Sequence, residues 1–421
     1  MKLTDFEKEM LDGKHGEMRK KALQVLMALA EYQGVEEFVE VTLCHSDNAV
    51  YMGEAAADFI EFLGNSGAKM AVPTTTNACS IDMAKWYEQG FDPIIANAIR
   101  RMEAAHAKLG AIPTWTCAPY QSCYQPTFGQ QIVSAESNVI CYYNSVIGAR
   151  TNRYAGPLEL LGGIAGRVPY AGLHIKENRY AEGLIHLDPE VKEEWFEDGA
   201  LYNLVAYAYG SIVGNRVWAI EGMPQKHRNE NLRDFSATAA SSGGIALYHM
   251  IGITPEAQTI EMAFNGKKPR EEAVIGLNEI REAERQLTNA DVTESVDMIL
   301  LGCPHLSYDE CNRIAGLFHG RRVSQNLEFN MTVGRDTYNR LMEAGVYDDL
   351  TRLGIKVYKE GCALEIQAKK RGIRSMMSNS GKFGTYSFGL TGIQPVFGSL
   401  NECIETAVAG KLVKEVKPWR T

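Results

Sequence analysis

The sequence contains no long uninterrupted apolar run. Its N-terminus, MKLTDFEKEMLDGKHG, lacks the apolar segment of a secretory leader. The most apolar long window, residues 200–220, is interrupted by Asn203, Asn215 and Arg216, and polar or charged side chains are costly inside a bilayer. We therefore expect a buried helix here rather than a membrane span, no membrane association, and a cytoplasmic protein.

An excess of basic residues is also missing. The 421 residues include 43 Lys and Arg against 52 Asp and Glu, which gives a net charge of -9. Non-specific nucleic-acid binding depends on clustered cations that neutralise phosphates, so this balance argues against a nucleic-acid partner. The composition, 45% hydrophobic and 23% charged, is ordinary for a globular protein of more than one domain.

Closely spaced metal-binding pairs are absent as well. No C-x-x-C or H-x-x-x-H occurs, which argues against a zinc ribbon, a thioredoxin-type redox motif and a zinc hydrolase. In a reducing compartment the cysteines are expected to be thiols. Any metal-binding cysteines must therefore converge from distant parts of the chain. The cysteines are Cys44, Cys79, Cys117, Cys123, Cys141, Cys303, Cys311, Cys362 and Cys403.

Helix and strand patterns alternate along the chain. Strands are predicted at residues 38–43, 68–73, 296–302 and 355–361, and helices at residues 52–67 and 92–110. Thr4 with Glu7, and Ser307 with Glu310, predict capping boxes at helix starts. The alternation predicts an α/β fold with parallel pairing. A charged stretch near residue 290 divides the chain into a region of residues 1–290 and a second α/β domain of residues 291–421.

Two of the cysteines follow predicted strands. Cys303 ends ILLGC and Cys362 ends VYKEGC, and ligands of open α/β sheets bind at the carboxyl ends of strands. Cys117 lies in a proline-containing loop, IPTWTCAPYQ. The alternative is that cysteines serve as small buried hydrophobes. For Cys303 and Cys362 both interpretations stay open. Burial in the core is the interpretation for Cys44, Cys79, Cys123, Cys141, Cys311 and Cys403.

Several specific strings occur in the order typical of one family. They are CAPY at residues 117–120, NSVIGARTNR at 144–153, GRVPYAGLHIKENR at 166–179, SSGGIALYHMIGITPEA at 241–257, GCPHLS at 302–307 and SNSGK at 378–382. With these motifs the chain resembles the aconitase X family over nearly its whole length. The resemblance implies an aconitase-like multidomain fold, with parallel or mixed sheets flanked by helices, and a hydro-lyase that carries an iron–sulfur cluster.

The same resemblance implies which residues hold the cluster. Carried over, the family pattern makes Cys117, Cys303 and Cys362 the metal ligands. Three thiolates leave one iron of a [4Fe–4S] cluster open to act as a Lewis acid, whereas fully ligated clusters transfer electrons. We therefore favour [4Fe–4S], with [2Fe–2S] and [3Fe–4S] as alternatives.

Arginines crowd one stretch of the chain. Arg150, Arg153, Arg167 and Arg179 lie within thirty residues, and arginine binds carboxylates through two parallel hydrogen bonds. The alternative is a solvated arginine face. The predicted substrate-binding residues are Thr75, Asn77, Asn144, Arg150, Thr151, Asn152, Arg153, Arg179 and Ser380.

Three further residues are candidates for catalysis: Ser145, His174 and Lys382. Each has a structural alternative. His174, like His305, is equally interpretable as a loop histidine with satisfied hydrogen bonds. Lys382 is suited to bind a carboxylate or phosphate or to cover the surface, and it is not part of a P-loop, because the Gly-x4-Gly-Lys spacing is absent.

The resemblance implies a dehydratase of a small hydroxy acid. Activities known in the family favour cis-3-hydroxy-L-proline, with phosphomevalonate as the alternative substrate; a non-catalytic iron–sulfur redox sensor is the alternative from another class. Aconitase-like enzymes place a swivel domain with a serine base over the cluster. No stretch of domain size is left for it here, so we expect a small partner subunit to supply the serine. Otherwise Ser145, Ser307 or Ser380 must be the base.

Overall fold

The computed structural model describes residues 1–122, 124–289, 291–292 and 294–420. Cys123, one of the cysteines interpreted as buried, lies outside the described residues. In the described part of the chain no helix is long and apolar enough to cross a membrane.

The first elements contain short strands and longer helices. They are α1 (Asp5–Leu11), α2 (Glu17–Tyr32), β1 (Phe38–Glu40), β2 (Cys44–Ser46), α3 (Glu54–Asn65), β3 (Thr74–Thr76), α4 (Pro93–Leu109), β4 (Val133–Ser134), α5 (Ser137–Tyr142), α6 (Gly156–Ala165) and β5 (Arg167–Pro169). The capping box of Thr4 and Glu7 is confirmed at α1. Helix α4 lies between the Asp92 and Gly110 caps, which agrees with the helix predicted over residues 92–110.

The middle of the chain alternates regularly between strand and helix. Its elements are β6 (Gly183–Leu187), α7 (Ala200–Val213), β7 (Trp218–Glu221), α8 (Asn229–Gly243), β8 (His249–Met250), α9 (Ile260–Phe264), β9 (Glu271–Ile275) and α10 (Leu277–Leu287). Helix α7 is buried along most of its length, with Leu201 and Val205 fully inside. The expectation of a buried helix is therefore confirmed for residues 200–213, whereas the end of the predicted window belongs to β7.

The last elements form a further α/β unit. They are β10 (Met298–Leu306), α11 (Tyr308–Leu317), β11 (Glu328–Val333), α12 (Arg335–Glu343), α13 (Val346–Arg352), β12 (Ile355–Lys359), β13 (Met376–Ser378), α14 (Gly381–Thr391), β14 (Val396–Phe397) and α15 (Leu400–Ala409). Single 3-10 turns lie at Pro119–Gln121, Gly172–His174, Lys176–Arg179, Glu193–Phe196, Pro255–Ala257, Ala363–Glu365, Lys369–Arg371 and Pro418–Arg420, and a π-helical turn at Tyr143–Ile147.

Three parallel sheets organise these elements. Their strand orders are β3-β2-β4, β8-β7-β6-β9 and β12-β11-β10-β13-β14. Strands β1 and β5 form a separate antiparallel pair. The parallel sheets flanked by helices confirm the predicted α/β class. Every strand of the five-stranded sheet comes after residue 291, the division proposed from the charge pattern.

Two strand predictions differ from the structure. Residues 68–73 are not a strand, because the backbone N–H groups of Met70 and Ala71 donate to Leu109 and Gly163 in neighbouring segments; the strand is the polar Thr74–Thr76 that follows. Strand β10 does not end at Cys303 but continues to Leu306, with a register shift after Leu301.

Gly302 allows the register shift within β10. Its φ of +104° is rarely adopted by L residues, and a Cβ there would lie 2.4 Å from the carbonyl oxygen of Thr332. The chain therefore turns the Cys303 thiol out of the regular ladder at a position where only glycine fits.

Candidate functional site

The three cysteines expected to bind metal lie at one place, although they come from separate loops. The backbone N–H of His305, two residues after Cys303, donates to the Sγ of Cys117 at 3.3 Å. Burial raises the pKa of Cys303 to about 12, with a further contribution from Cys117. The pKa of Cys362 is also raised, by burial, Glu365, Cys303 and Cys117. Each thiol is therefore close enough to influence another.

The donor set fits an iron–sulfur cluster. In the described part of the chain no three His, Cys, Asp or Glu side chains are close enough to hold a single metal ion. Three converging thiols with a wider spacing suit a cluster, because each thiolate binds a different iron. Cys117 and Cys362 are partly exposed and Cys303 is 9% exposed, so the group they surround would face an opening.

A buried histidine connects the three cysteine loops. The Nε2–H of His305 donates to the carbonyl of Gly361, beside Cys362, at 2.8 Å. The hydroxyl of Thr116, beside Cys117, donates to Nδ1 at 3.1 Å. Because a carbonyl only accepts hydrogen bonds, this tautomer is required. Burial lowers the pKa of His305 to about 4, so the ring is neutral.

The start of α14 brings two predicted residues to the thiols. Ser380 caps the helix by accepting from the N–H of Phe383, and its hydroxyl donates to the carbonyl of Cys303. Lys382 is 6% exposed, and its Nζ lies 2.5 Å from Oε1 of Glu136. Burial disfavours its charge, but Glu136, Cys303 and Cys117 hold the pKa of Lys382 well above its ordinary value. A cation is thus fixed beside the thiols.

Two carboxylates and two amides complete this cluster. The amide of Asn77 donates to Asp47 at 2.5 Å and to Glu136 at 3.2 Å. The amide of Asn138 donates to Glu136 at 2.7 Å and to the carbonyl of Cys117 at 3.1 Å. We call Asp47, Asn77, Glu136, Asn138 and Lys382 the polar cluster. It lies directly against the loop of Cys117.

The two carboxyl groups of the polar cluster differ in pKa. Burial and the charge of Glu136 raise the pKa of Asp47 to about 7. Burial also disfavours the charge of Glu136, but the attraction and hydrogen bond of Lys382 prevail and lower its pKa to about 2. One carboxyl is therefore a fixed anion, and the other exchanges a proton near neutral pH.

Parallel pairing explains why these residues meet. Asp47 follows the last residue of β2, Asn77 follows the last residue of β3, and Glu136 lies two residues beyond β4. The carboxyl ends of parallel strands open at one edge of a sheet, where ligands bind. The sequence prediction included Asn77 but missed Asp47, Glu136 and Asn138. An acidic or amide residue just after each short strand is the signal that would have found them.

The predicted arginines are divided between two edges of the same sheet. The backbone of Arg150 forms a parallel β-bridge with Gln131, which precedes β4, so Arg150 lies at the edge of the sheet where β4 begins. Residues 150–154 then run alongside β4, and the N–H of Tyr154 donates to the carbonyl of Ser134. Arg153 consequently lies exposed near the carboxyl edge, with one guanidinium N–H on the carbonyl of Gly244. Of these two arginines, Arg153 is the one that lies toward the edge carrying the polar cluster.

Arg179 and Arg167 are engaged elsewhere. Arg179 is 1% exposed and binds the carboxylate of Glu256 through both Nε and Nη2, while Nη1 and Nη2 also donate to Asn144. Arg167 pairs with Glu7. These contacts tie loops and helices together, and they leave Arg179 little capacity to bind a substrate.

The remaining predicted residues make local contacts. Asn144 bonds with the backbone of Thr151, and Asn152 with the backbone of Ala171 and Leu173. The hydroxyls of Ser145 and Thr151 bond with the N–H of Tyr248 and the carbonyl of Asn152. His174 bonds with Gln131 and Tyr154, and Thr75 with His45 and the carbonyl of Cys44. None of these contacts reaches the thiols.

Comparison with known proteins agrees with this arrangement. The chain matches family models for the first, second and third domains of aconitase X over residues 1–177, 181–285 and 296–409. It is 34% identical to cis-3-hydroxy-L-proline dehydratase of Pseudomonas aeruginosa, over 99% of this chain and 72% of the relative. It is 30% identical to the phosphomevalonate dehydratase large subunit of Methanocaldococcus jannaschii, over 96% of this chain and 100% of the relative.

A solved structure gives the same result. The holo form of Thermococcus kodakaraensis aconitase X superposes with a TM-score of 0.85 at 28% identity, over 97% of this chain and 100% of that chain. The sequence motifs, the parallel sheets around the converging thiols and these matches agree over nearly the whole length. The chain belongs to the aconitase X family.

Proposed function

We propose that this chain is the cluster-bearing component of a dehydratase of small hydroxy acids, with cis-3-hydroxy-L-proline as its substrate. The observation that carries the proposal is the position of Cys117, Cys303 and Cys362 beside the polar cluster. The relatives with 34% and 33% identity are both named cis-3-hydroxy-L-proline dehydratase, the second from Hypocrea jecorina.

Cys117, Cys303 and Cys362 would hold the iron–sulfur cluster. When bound, a cluster with one iron free of cysteine supplies a Lewis acid for the substrate hydroxyl. The charge of Lys382 lowers the pKa of both Cys117 and Cys303 against the effect of burial, and this favours the thiolate form that ligation requires. We place the protein in the cytoplasm, because free thiols persist in a reducing compartment.

The charges around the site suit a substrate with a single carboxylate. Arg153, at the same edge as the polar cluster, can bind the carboxylate of hydroxyproline. Lys382 is already paired with Glu136. A substrate that carries both a phosphate and a carboxylate would need more unpaired cations than this edge provides among the described residues.

Asp47 is the group of this chain suited to proton transfer. Asp47 is surrounded by Glu136, Asn77, Lys382 and the buried Glu159. The charge of Asp47 raises the pKa of Glu159. With a pKa of about 7, Asp47 carries a proton below neutral pH, and as the acid it would protonate the departing hydroxide. Asn77 orients its carboxyl through a 2.5 Å hydrogen bond.

The base is proposed to come from a second, small chain. The candidate serines here have structural partners: Ser145 accepts from Tyr248, Ser307 caps α11 through Glu310, and Ser380 caps α14. The chain spans 72% and 69% of the curated dehydratases it matches, but all of the M. jannaschii relative, whose name includes "large subunit". This name supports a split enzyme whose site is completed by a partner chain.

The 30% identity to this relative also favours a second candidate, the large subunit of a phosphomevalonate dehydratase. The two substrates are distinguished by direct assay. The chain is reconstituted with iron and sulfide under anaerobic conditions, then incubated with each acid, alone and with the small chain encoded in the same organism.

We expect iron and sulfide in the chain alone, and dehydration of cis-3-hydroxy-L-proline only when the small chain is present. Turnover of phosphomevalonate instead would reverse the substrate choice. Full activity of the chain alone would refute the split site. A cluster without turnover of either acid would favour the redox sensor.

A further inference from the structure

A cavity lies away from the thiols, between the segments matched by the first and second family domains. Its volume is about 610 Å³, within the range of small-molecule sites. Phe128, Arg150 and Lys176 line it from one segment, and His249 and Met262 from the other. Cavities at domain boundaries are frequent positions of ligand sites.

Two residues that line this cavity each have a buried nitrogen without a hydrogen-bond partner in the part of the chain that the structure describes. One is Nε of Arg150. The other is Nδ1 of His249, a side chain that is only 2% exposed. The opposite nitrogen of His249, Nε2, lies 2.6 Å from the carbonyl of Arg179 and must donate to it. Nδ1 is therefore an unprotonated acceptor, and a buried acceptor without a donor is unfavourable.

The topology separates this cavity from the polar cluster. The backbone of Arg150 forms a β-bridge with Gln131, which precedes β4, whereas Glu136 follows the last residue of β4. Five residues of nearly extended chain span roughly 16 Å at about 3.3 Å per residue. A small substrate bound at the thiols therefore does not reach Arg150.

We propose that this cavity binds a second molecule, a small carboxylic acid with a hydroxyl or amino group on the carbon next to the carboxylate. The guanidinium of Arg150 would bind the carboxylate, with Lys176 adding positive charge at the rim. The hydroxyl or amino group would donate to Nδ1 of His249. Phe128 and Met262 would cover the apolar part of the ligand, and Glu261, also in the lining, suits an ammonium group.

The test measures binding to the full chain by calorimetry with three probes. L-lactate carries a hydroxyl donor, L-alanine carries an amino donor, and propionate carries neither. We expect lactate or alanine to bind at least about tenfold more tightly than propionate, because only they satisfy the histidine acceptor. The better of the two identifies the donor. Equal affinity for all three probes would refute the role of His249.

Two variants locate the binding. Arg150→Gln should weaken the better probe by about tenfold or more, since a charge-assisted hydrogen bond is lost. Lys176→Gln, at an exposed position that should not affect folding, should weaken it in the same direction. Arg352→Gln, an exposed control in α13, should bind as the unaltered chain does.

A further variant distinguishes binding in this cavity from binding at the thiol site. Arg153 lies at the other edge of the sheet, so Arg153→Gln should leave the affinity for the better probe unchanged. Absence of any binding to the unaltered chain, or unchanged affinity in both Arg150→Gln and Lys176→Gln, would overturn the proposal. If Arg150→Gln does not fold, Lys176→Gln alone decides. These outcomes do not depend on catalysis, so the dehydratase proposal is tested separately.

Discussion

Replacing His305 by leucine removes the contacts that hold the three cysteine loops together. The hydrogen bonds from Thr116 at 3.1 Å and to Gly361 at 2.8 Å are lost. The bond from the His305 backbone to Cys117 does not involve the side chain. The carbonyl of Gly361 and the hydroxyl proton of Thr116 would stay buried without these partners.

The expected cost follows from these two contacts. A buried polar group left without its partner costs about 1–3 kcal/mol. Two such groups together give a loss of roughly 2–6 kcal/mol, a substantial part of the roughly 5–15 kcal/mol typical of a folded protein. Because the contacts lie beside Cys117 and Cys362, much of the loosening should occur where the cluster is held.

The assay measures iron and sulfide per chain after anaerobic reconstitution, together with thermal unfolding. His174→Leu is the matched control, because His174 is equally buried and bonds with Gln131 and Tyr154 at 2.7 Å each. We expect both variants to unfold at lower temperature but only His305→Leu to lose iron and sulfide. His305→Gln, which keeps a donor, should recover part of the content.

Equal iron and sulfide in His305→Leu and His174→Leu would refute the reasoning. The histidine would then stabilise the fold without positioning the cysteines. The same experiment bears on the sequence prediction that His174 is catalytic, since a cluster-containing His174→Leu protein can be assayed with the small chain.

Three other predictions concern the thiols and the polar cluster. Cys303→Ser should lose most of the bound iron and sulfide, whereas Cys311→Ser, a buried control, should retain both; equal retention would refute the ligand assignment. The free energy of unfolding of Asp47→Asn should exceed that of the unaltered chain at pH 8, and the two should differ little near pH 4. The folded chain holds the Asp47 proton up to about pH 7, so stability falls as pH rises from about 4 to about 7; denaturant titrations at both pH values check this, and parallel curves would contradict it. Arg153→Lys keeps the charge but loses the planar guanidinium, so kcat/KM should fall about tenfold or more with the cluster intact; unchanged kinetics would mean that Arg153 does not bind substrate.

Local features can be predicted from the sequence. The capping boxes of Thr4 and Ser307 and the helix predicted over residues 92–110 depend on residues only a few positions apart, and all are confirmed. The family resemblance likewise depends on contiguous strings such as GARTNR and GCPHLS. These strings alone are enough to indicate the family, and with it the three cysteines as candidate ligands.

Strand positions are harder to predict. Residues 68–73 are apolar enough to predict a strand, but the backbone N–H groups of Met70 and Ala71 donate to other segments. The strand is Thr74–Thr76, which pairs with β2. The predicted end of a strand at Cys303 also differs, since pairing with β11 resumes at Leu306 beyond the irregular segment. Pairing partners, rather than hydrophobicity alone, decide where a short strand begins and ends.

The tertiary structure alone decided which polar residues share a site. Arg150 and Arg153 are three positions apart, yet an extended segment parallel to β4 carries them to opposite edges of the sheet. Asp47 and Glu136 are distant in sequence, yet parallel pairing of β2 and β4 brings them to one edge. The sequence determined the residue types and the family. The distances between them depend on long-range strand pairing, which no local pattern encodes.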